Sequence, residues 1–171
     1  MCSSDLPSSQ ETVRRVLERI GAEFPQRESA PSQDSKLTQN PIWNLIHPTI
    51  VSVAKPRFDS RQYADAAEAA MKEINSRVKR IWLAAGQPER DGKPLMLSAF
   101  SPNTPTIRLD DLSTESGRNV QEGYMHLFAG AMQGVRNPKS HGNITISPER
   151  CFHFLFLASL LMSKLDEAGA A

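Results

Sequence analysis

Cysteine is almost missing from this chain: Cys2 and Cys151 are its only two. They make no disulfide framework, and no Cys/His spacing suggests zinc, so the expectation is a reducing cytoplasm with neither metal nor cofactor. A net charge of either sign is missing too. Lys and Arg number 20 against 19 Asp and Glu, so no global field draws in nucleic acid. RNA binding must then come from a local patch, or from a patch doubled by dimerisation. Long apolar runs are absent: the longest, Cys151 to Met162, is broken by His153 and Ser159. It is too short to span a bilayer, and no membrane partner is expected. The N-terminus is polar and lacks the apolar core of a signal peptide. No internal repeat is visible. What remains is a chain of 171 residues, enough for one domain with a core plus a tail.

The tail is expected to cover residues 1–41. Met1-Cys2-Ser3-Ser4-Asp5-Leu6 reads as translated sequencing adapter, with native chain extending upstream, and carries no fold argument. Ser8 or Ser9 can cap a short helix on which Val13, Val16, Leu17 and Ile20 share a face, with Gly21 near its end. From Phe24 to Pro41 the composition of Pro, Ser, Gln and mixed charge reads as a flexible linker.

The compact domain is expected over residues 42–168, and its periodicities are helical. Trp43 to Val53 predicts a helix with Pro48 near its first turn, and Ser60 is placed to cap a long helix. Tyr63, Ala66, Ala67, Ala70, Ile74, Val78, Ile81 and Trp82 would be the inner stripe of that helix. Lys72, Arg77, Lys79 and Arg80 gather in its second half, read as a solvated face in preference to an RNA-backbone track. Gly86 to Pro94 reads as a loop and Leu95 to Phe100 as a short apolar element. Thr106 to Leu112 alternates Ile107 and Leu109 with polar residues, which predicts a small strand or β-hairpin insertion.

Ser116 to Arg136 predicts a further helix with Val120, Tyr124, Leu127, Phe128, Ala131 and Val135 on its core face. Gly123, Gly130 and Gly134 fall on one stripe with Leu127, and each costs about 1 kcal/mol relative to Ala. Close approach of a partner helix is the expected offset, with room for a ligand backbone as the other option. Ser147 as N-cap, Pro148 at the first position and Glu149 in the first turn open a last helix running to about Glu167. Its apolar residues, Phe152 to Leu165, cover more than one face, so part should be buried against a second copy of the chain.

Between these two helices lies Arg136-Asn137-Pro138-Lys139-Ser140-His141. Asn137-Pro138 forces the chain out of helix, leaving Arg136 on the last turn and letting His141 fold back from the loop. A guanidinium that grips phosphate and an imidazole that titrates near neutral pH suffice to cleave RNA without metal. Ordinary helix termination explains the same residues, since cations and proline are common at helix C-termini. The spacing decides nothing: 13 Arg and 4 His among 171 residues give roughly 0.3 chance pairs at any one separation.

The wider context resembles the HEPN superfamily, in which an all-helical domain carries Arg, four to six variable residues and His, often with a polar residue after the Arg. Here those positions are Arg136, Asn137 and His141. More narrowly, the chain resembles the uncharacterised bacterial family labelled Ymh. The segments that carry this resemblance are Ile46-His47-Pro48, Tyr63-Ala64-Asp65-Ala66, Leu95-Met96-Leu97-Ser98-Ala99-Phe100, Gln121-Glu122-Gly123-Tyr124-Met125, Arg136-Asn137-Pro138 with His141, and Ala158-Ser159-Leu160-Leu161. It covers roughly His47 to Ala168.

The resemblance implies an all-α, HEPN-like helical bundle that dimerises and brings two Arg/His motifs into one cleft. It also implies a metal-independent endoribonuclease of a toxin–antitoxin or antiphage defence type, with RNA as partner and an antitoxin or other regulatory protein controlling it. His141 would move protons at the ribose 2′-hydroxyl or the leaving 5′-oxygen, and Arg136 would offset charge on the phosphorane. Asn137 would hydrogen-bond imidazole or phosphate, while Lys139 and Ser140 would contact substrate, Ser140 as a turn residue and not a nucleophile. The alternative is a non-catalytic HEPN-like module that binds a nucleotide or protein. Among the other histidines, His47 is expected to cap or pack at a helix start. His126 pairs with Glu122 on a helix surface, and His153 faces solvent or a dimer seam.

Overall fold

Prolines and capping side chains mark where three of the described helices begin. The computed structural model describes residues 41–136 and 145–169. The N-terminal helix and linker expected over 1–40, and the loop 137–144, lie outside the described residues. Among the described residues the structure is all-helical, with no strand. None of the described helices is long and apolar enough to cross a membrane.

The helix expected from Trp43 splits at Pro48. Residues Pro41–Leu45 form a 3-10 turn, and α1 runs Pro48–Asp59. Proline disfavours helical geometry in the residue before it, yet suits the first helical position itself. His47 is therefore extended (φ −50°, ψ 131°), and its ring nitrogen Nδ1 accepts from the Thr49 N–H at 3.1 Å, capping α1. Ser60 does not cap the next helix. It closes α1 instead, its hydroxyl donating to the Pro56 carbonyl at 2.9 Å. Arg61 then turns left-handed at φ 60°, and α2 (Tyr63–Ala84) starts without a side-chain cap.

Helix α2 is the central element. It packs on α1, on α3 (Gly92–Ala99), on α5 (Pro148–Glu167) and on a π-helical turn at Met132–Arg136. Its expected stripe is largely the buried one, but Met71 and the polar Asn75 belong to it as well. The basic cluster is distributed over partners: Lys72 pairs with Glu68, Lys79 with Glu89 and Arg77 with Asp166. Three of the four cations are thus paired, Arg77 lying largely buried and Lys72 and Arg80 exposed. Trp43, Phe58, Tyr63 and Phe152 form an aromatic cluster with centroid separations of 4.7–5.3 Å, fastening the 3-10 turn to α1, α2 and α5.

The hairpin expected over Thr106–Leu112 is not present. Ile107 and Leu109 point inward as the alternation predicts, at 3% and 5% exposure, but no second strand pairs with them. The fully buried Gln121 takes that role. Its Nε2 donates to the carbonyls of Phe100 and Ile107 at 2.9 and 3.0 Å, and its Oε1 accepts from the Leu109 N–H at 2.7 Å. A side-chain amide thus satisfies the backbone groups that a strand partner would otherwise pair.

Gln121 sits on α4 (Glu115–Ala131), capped by the Thr114 hydroxyl, which accepts from the Gly117 N–H at 2.9 Å. A Cβ at Gly117 would stand 1.9 Å from the Asp111 carbonyl oxygen, so only glycine lets the loop cross there. The expected core face of α4 holds in part: Phe128 and Ala131 are buried and Val120, Tyr124 and Val135 half-buried. Leu127 is 45% exposed, and Gln121, Met125 and Met132 complete the buried face in its place. Gly123, Gly130 and Gly134 lie on the open side, with no heavy atom within 4 Å of a Cβ built on any of them. No described helix of this chain approaches that stripe. Helix α5 follows expectation, Ser147 accepting from the Arg150 N–H at 3.2 Å with Pro148 in first place. Leu160 projects at 49% exposure.

Candidate functional site

The helix expected to run straight to Arg136 changes pitch before it arrives. After Ala131 the backbone widens into the π-helical turn Met132–Arg136, a feature common at functional positions in helices. Met132 is fully buried and anchors the turn, while Arg136 at its end is half-buried. Of the expected site residues, Arg136 alone is described. Asn137, Lys139, Ser140 and His141 lie outside the described residues.

Arg136 meets three residues that sequence reasoning passed over. Its Nη1 donates to Asp91 Oδ2 at 2.8 Å and lies 3.4 Å from Asn75 Oδ1. Asn75, 4% exposed on the inner face of α2, donates from Nδ2 to Asp91 Oδ1 at 2.7 Å and accepts from the Gly92 N–H at 2.9 Å. Asp91 is the extended N-cap of α3, and Gly92 turns left-handed at φ 58°. A Cβ on Gly92 would meet Arg136 Nη1 at 3.4 Å. The cluster thus joins α2, the start of α3 and the end of the π-helical turn.

Its electrostatics are those of a maintained ion pair. Partial burial pushes the Asp91 carboxyl up, but hydrogen bonds from Asn75 and Arg136 and the charges of Arg136 and Lys79 outweigh this. The pKa is held below the ordinary carboxylate value. Asp91 is therefore ionised at neutral pH and Arg136 keeps a fixed anionic partner. Both hydrogen bonds that Arg136 makes to described residues leave from Nη1. The edge carrying Nη2 and Nε is uncommitted among the described residues, and that edge can grip a phosphate bidentately.

Signals for the missed residues existed. Asn75 interrupts an otherwise apolar stripe at a core position, where a polar side chain needs partners. Asp91-Gly92 stands two residues before the apolar run that starts at Leu95, with Pro94 between, a combination that marks a turn into a helix.

The remaining histidines fall elsewhere. His47 Nε2 lies 2.7 Å from Asp166 Oδ2, and Asp166 Oδ1 lies 2.6 Å from Arg77 Nη1. The His47 backbone N–H donates to the buried Ser159 hydroxyl at 2.8 Å. His126 stands 4.0 Å from Glu122, both exposed, and His153 is exposed on α5. Among the described residues no three His, Cys, Asp or Glu side chains gather as metal ligands. Burial pushes the Cys151 thiol up to about 12, which makes it a packing residue and not a nucleophile.

Among curated proteins and solved structures, none matches the chain. The family model for Hypoth_Ymh, described as a protein of unknown function, matches residues 44–165, which include α1 to α4, Arg136 and nearly all of α5. Since that is well over half of the sequence, this chain belongs to the Hypoth_Ymh family.

Proposed function

We propose that this protein is a metal-independent endoribonuclease of the toxin–antitoxin or antiphage defence type, with a HEPN-like bundle whose dimer forms a composite site. The supporting observation is the state of Arg136. It stands immediately before Asn137-Pro138 and, among the described residues, is held through one nitrogen with its bidentate edge uncommitted. In this reading His141 accepts the ribose 2′-hydroxyl proton as the 2′-oxygen attacks phosphorus. Arg136 stabilises the charge on the pentavalent phosphorane. The P–O5′ bond breaks, and the 5′-oxygen takes a proton from the imidazolium of the second motif. The products are a 2′,3′-cyclic phosphate and a 5′-hydroxyl. Asn137 orients the imidazole or the phosphate, and Lys139 and Ser140 hold the RNA backbone.

The dimer accords with the open stripe of Gly123, Leu127, Gly130 and Gly134 and with the exposed Leu160. The test is incubation of purified protein with total RNA in excess EDTA. Cleavage that survives chelation and disappears in His141→Ala supports the enzyme. A monomer at micromolar concentration by sedimentation counts against the composite site.

One observation favours a second reading, a non-catalytic module that binds a nucleotide or protein through the same cleft. Asp91 already neutralises much of the field of Arg136, and the chain as a whole is nearly neutral. Wild type and His141→Ala that are equally inert on RNA, yet share a nucleotide-dependent rise in melting temperature, would select it.

A further inference from the structure

We propose that Asp91 and Asn75 are positioning residues for Arg136, fixing one nitrogen of its guanidinium so that the opposite edge is presented to the scissile phosphate. The inference rests on the ribonuclease reading and adds two residues to it, neither of which belongs to the Arg/His motif.

The cluster is held from the core outward. Asn75 is buried on α2, where an amide is tolerated only with its partners in place. Both ends of that amide are committed, Oδ1 to the Gly92 N–H and Nδ2 to Asp91 Oδ1. These two bonds fix the Asp91 carboxylate, leaving Oδ2 to receive Arg136 Nη1 at 2.8 Å. Gly92 completes the arrangement. Its left-handed backbone, which L side chains rarely adopt, lets the chain turn from Asp91 into α3, with the guanidinium packed close beside it.

An arginine side chain carries several rotatable bonds, and freezing them on encountering phosphate costs free energy. Here that ordering is built into the fold. Among the described residues Arg136 uses Nη1 alone, which is informative, because an arginine serving only to tie helices together gains by engaging both faces of its fork. Leaving Nε and Nη2 together preserves the side-on geometry that matches two phosphate oxygens. Asp91 also withholds some positive charge, and Lys79 lies near enough to lower the Asp91 pKa while itself paired with Glu89. Presentation and not net charge is therefore what the cluster contributes.

The test uses the full chain and a single-stranded RNA oligonucleotide in excess EDTA. Turnover, KM and melting temperature are measured for wild type, Arg136→Ala, Asp91→Asn and Asp91→Glu. Asp91→Asn should lower kcat about 10- to 100-fold, since small misplacements of a catalytic group cost that much, with KM within about threefold of wild type. Asp91→Glu, which keeps the charge on a longer arm, should recover a large part of the loss. A purely structural role would lower the melting temperature and leave the kcat of folded protein unchanged. Should Asp91→Asn melt below the assay temperature, Asp91→Ser is judged by the same criterion. Wild-type kcat in Asp91→Asn alongside an inactive Arg136→Ala would remove the positioning role and leave the ribonuclease standing. Faster cleavage by Asp91→Asn would do likewise, marking Asp91 as a brake. Inert wild-type protein would remove the ribonuclease reading, and the positioning role with it.

Discussion

Where α5 meets the start of α1, Asp166 joins His47 to Arg77. Where α2, α3 and the π-helical turn meet, Asp91 joins Asn75 to Arg136. The two clusters share an aspartate bridging an arginine and a ring or amide nitrogen, yet they differ in what remains unspent. His47 uses both ring nitrogens. Nδ1 accepts from the Thr49 N–H, so the hydrogen-bond network assigns the proton to Nε2, which donates to Asp166. That imidazole is the cap of α1 and has no lone pair left for a substrate. Among the described residues Arg136, by contrast, keeps its outer edge. An aspartate–arginine pair is thus no indicator of function in itself; the donors left over separate a clasp from a candidate site.

The sharpest way to break this contrast is to remove both arginines in turn. Arg136→Ala should cut RNA cleavage by about 10²–10³-fold, the usual scale for losing a preorganised charge stabiliser. Arg77→Ala should leave the turnover of folded protein unchanged. Equal losses of activity would erase the distinction.

Next in size is Asn75→Ala, which strands the Gly92 N–H in the interior and frees Asp91. Urea unfolding should register a loss of about 1–3 kcal/mol. His47→Ala removes a cap and should cost about 1 kcal/mol by the same measurement, with RNA cleavage intact.

The smallest effect concerns acid. Hydrogen bonds from His47 and Arg77 hold the Asp166 carboxyl below its ordinary value, and Asp91 is depressed as well. For depressed carboxyls the stability contribution is complete above the unfolded value of about 4. It is lost as pH falls through the lower folded value. Asp166→Asn and Asp91→Asn should each flatten the stability–pH curve below about pH 4, by little, since both carboxylates are substantially exposed. Thermal melts between neutral and acid pH would read this.

Much of the fold could be read from local chemistry. Ser147-Pro148-Glu149 marks the start of α5, and alanine spacing marks the inner face of α2, because caps and apolar periodicity are properties of neighbouring residues. The failures share one cause. Gln121 and Asn75 are polar, and pattern reading sends polar residues outward; both are buried and serve backbone groups distant in sequence. Gln121 accounts for the missing hairpin and belongs to the part of the buried face of α4 that apolar spacing left out. Asn75 and Asp91 stayed hidden because their link to Arg136 spans 61 and 45 positions, beyond any local period. The motif itself pointed to Arg136 but gave no indication of what grips it.

The widened turn at Met132–Arg136 makes the protein unusually tolerant of length at one place. A π-helical turn bonds i to i+5, one residue more than an α turn, so deleting a single residue there lets ordinary α pitch resume with the guanidinium still directed toward Asp91. The interior upstream of Met132 would be spared, so such a variant should fold and keep its arginine paired, whereas a deletion within Glu115–Ala131 would turn that arginine by about 100° around the axis.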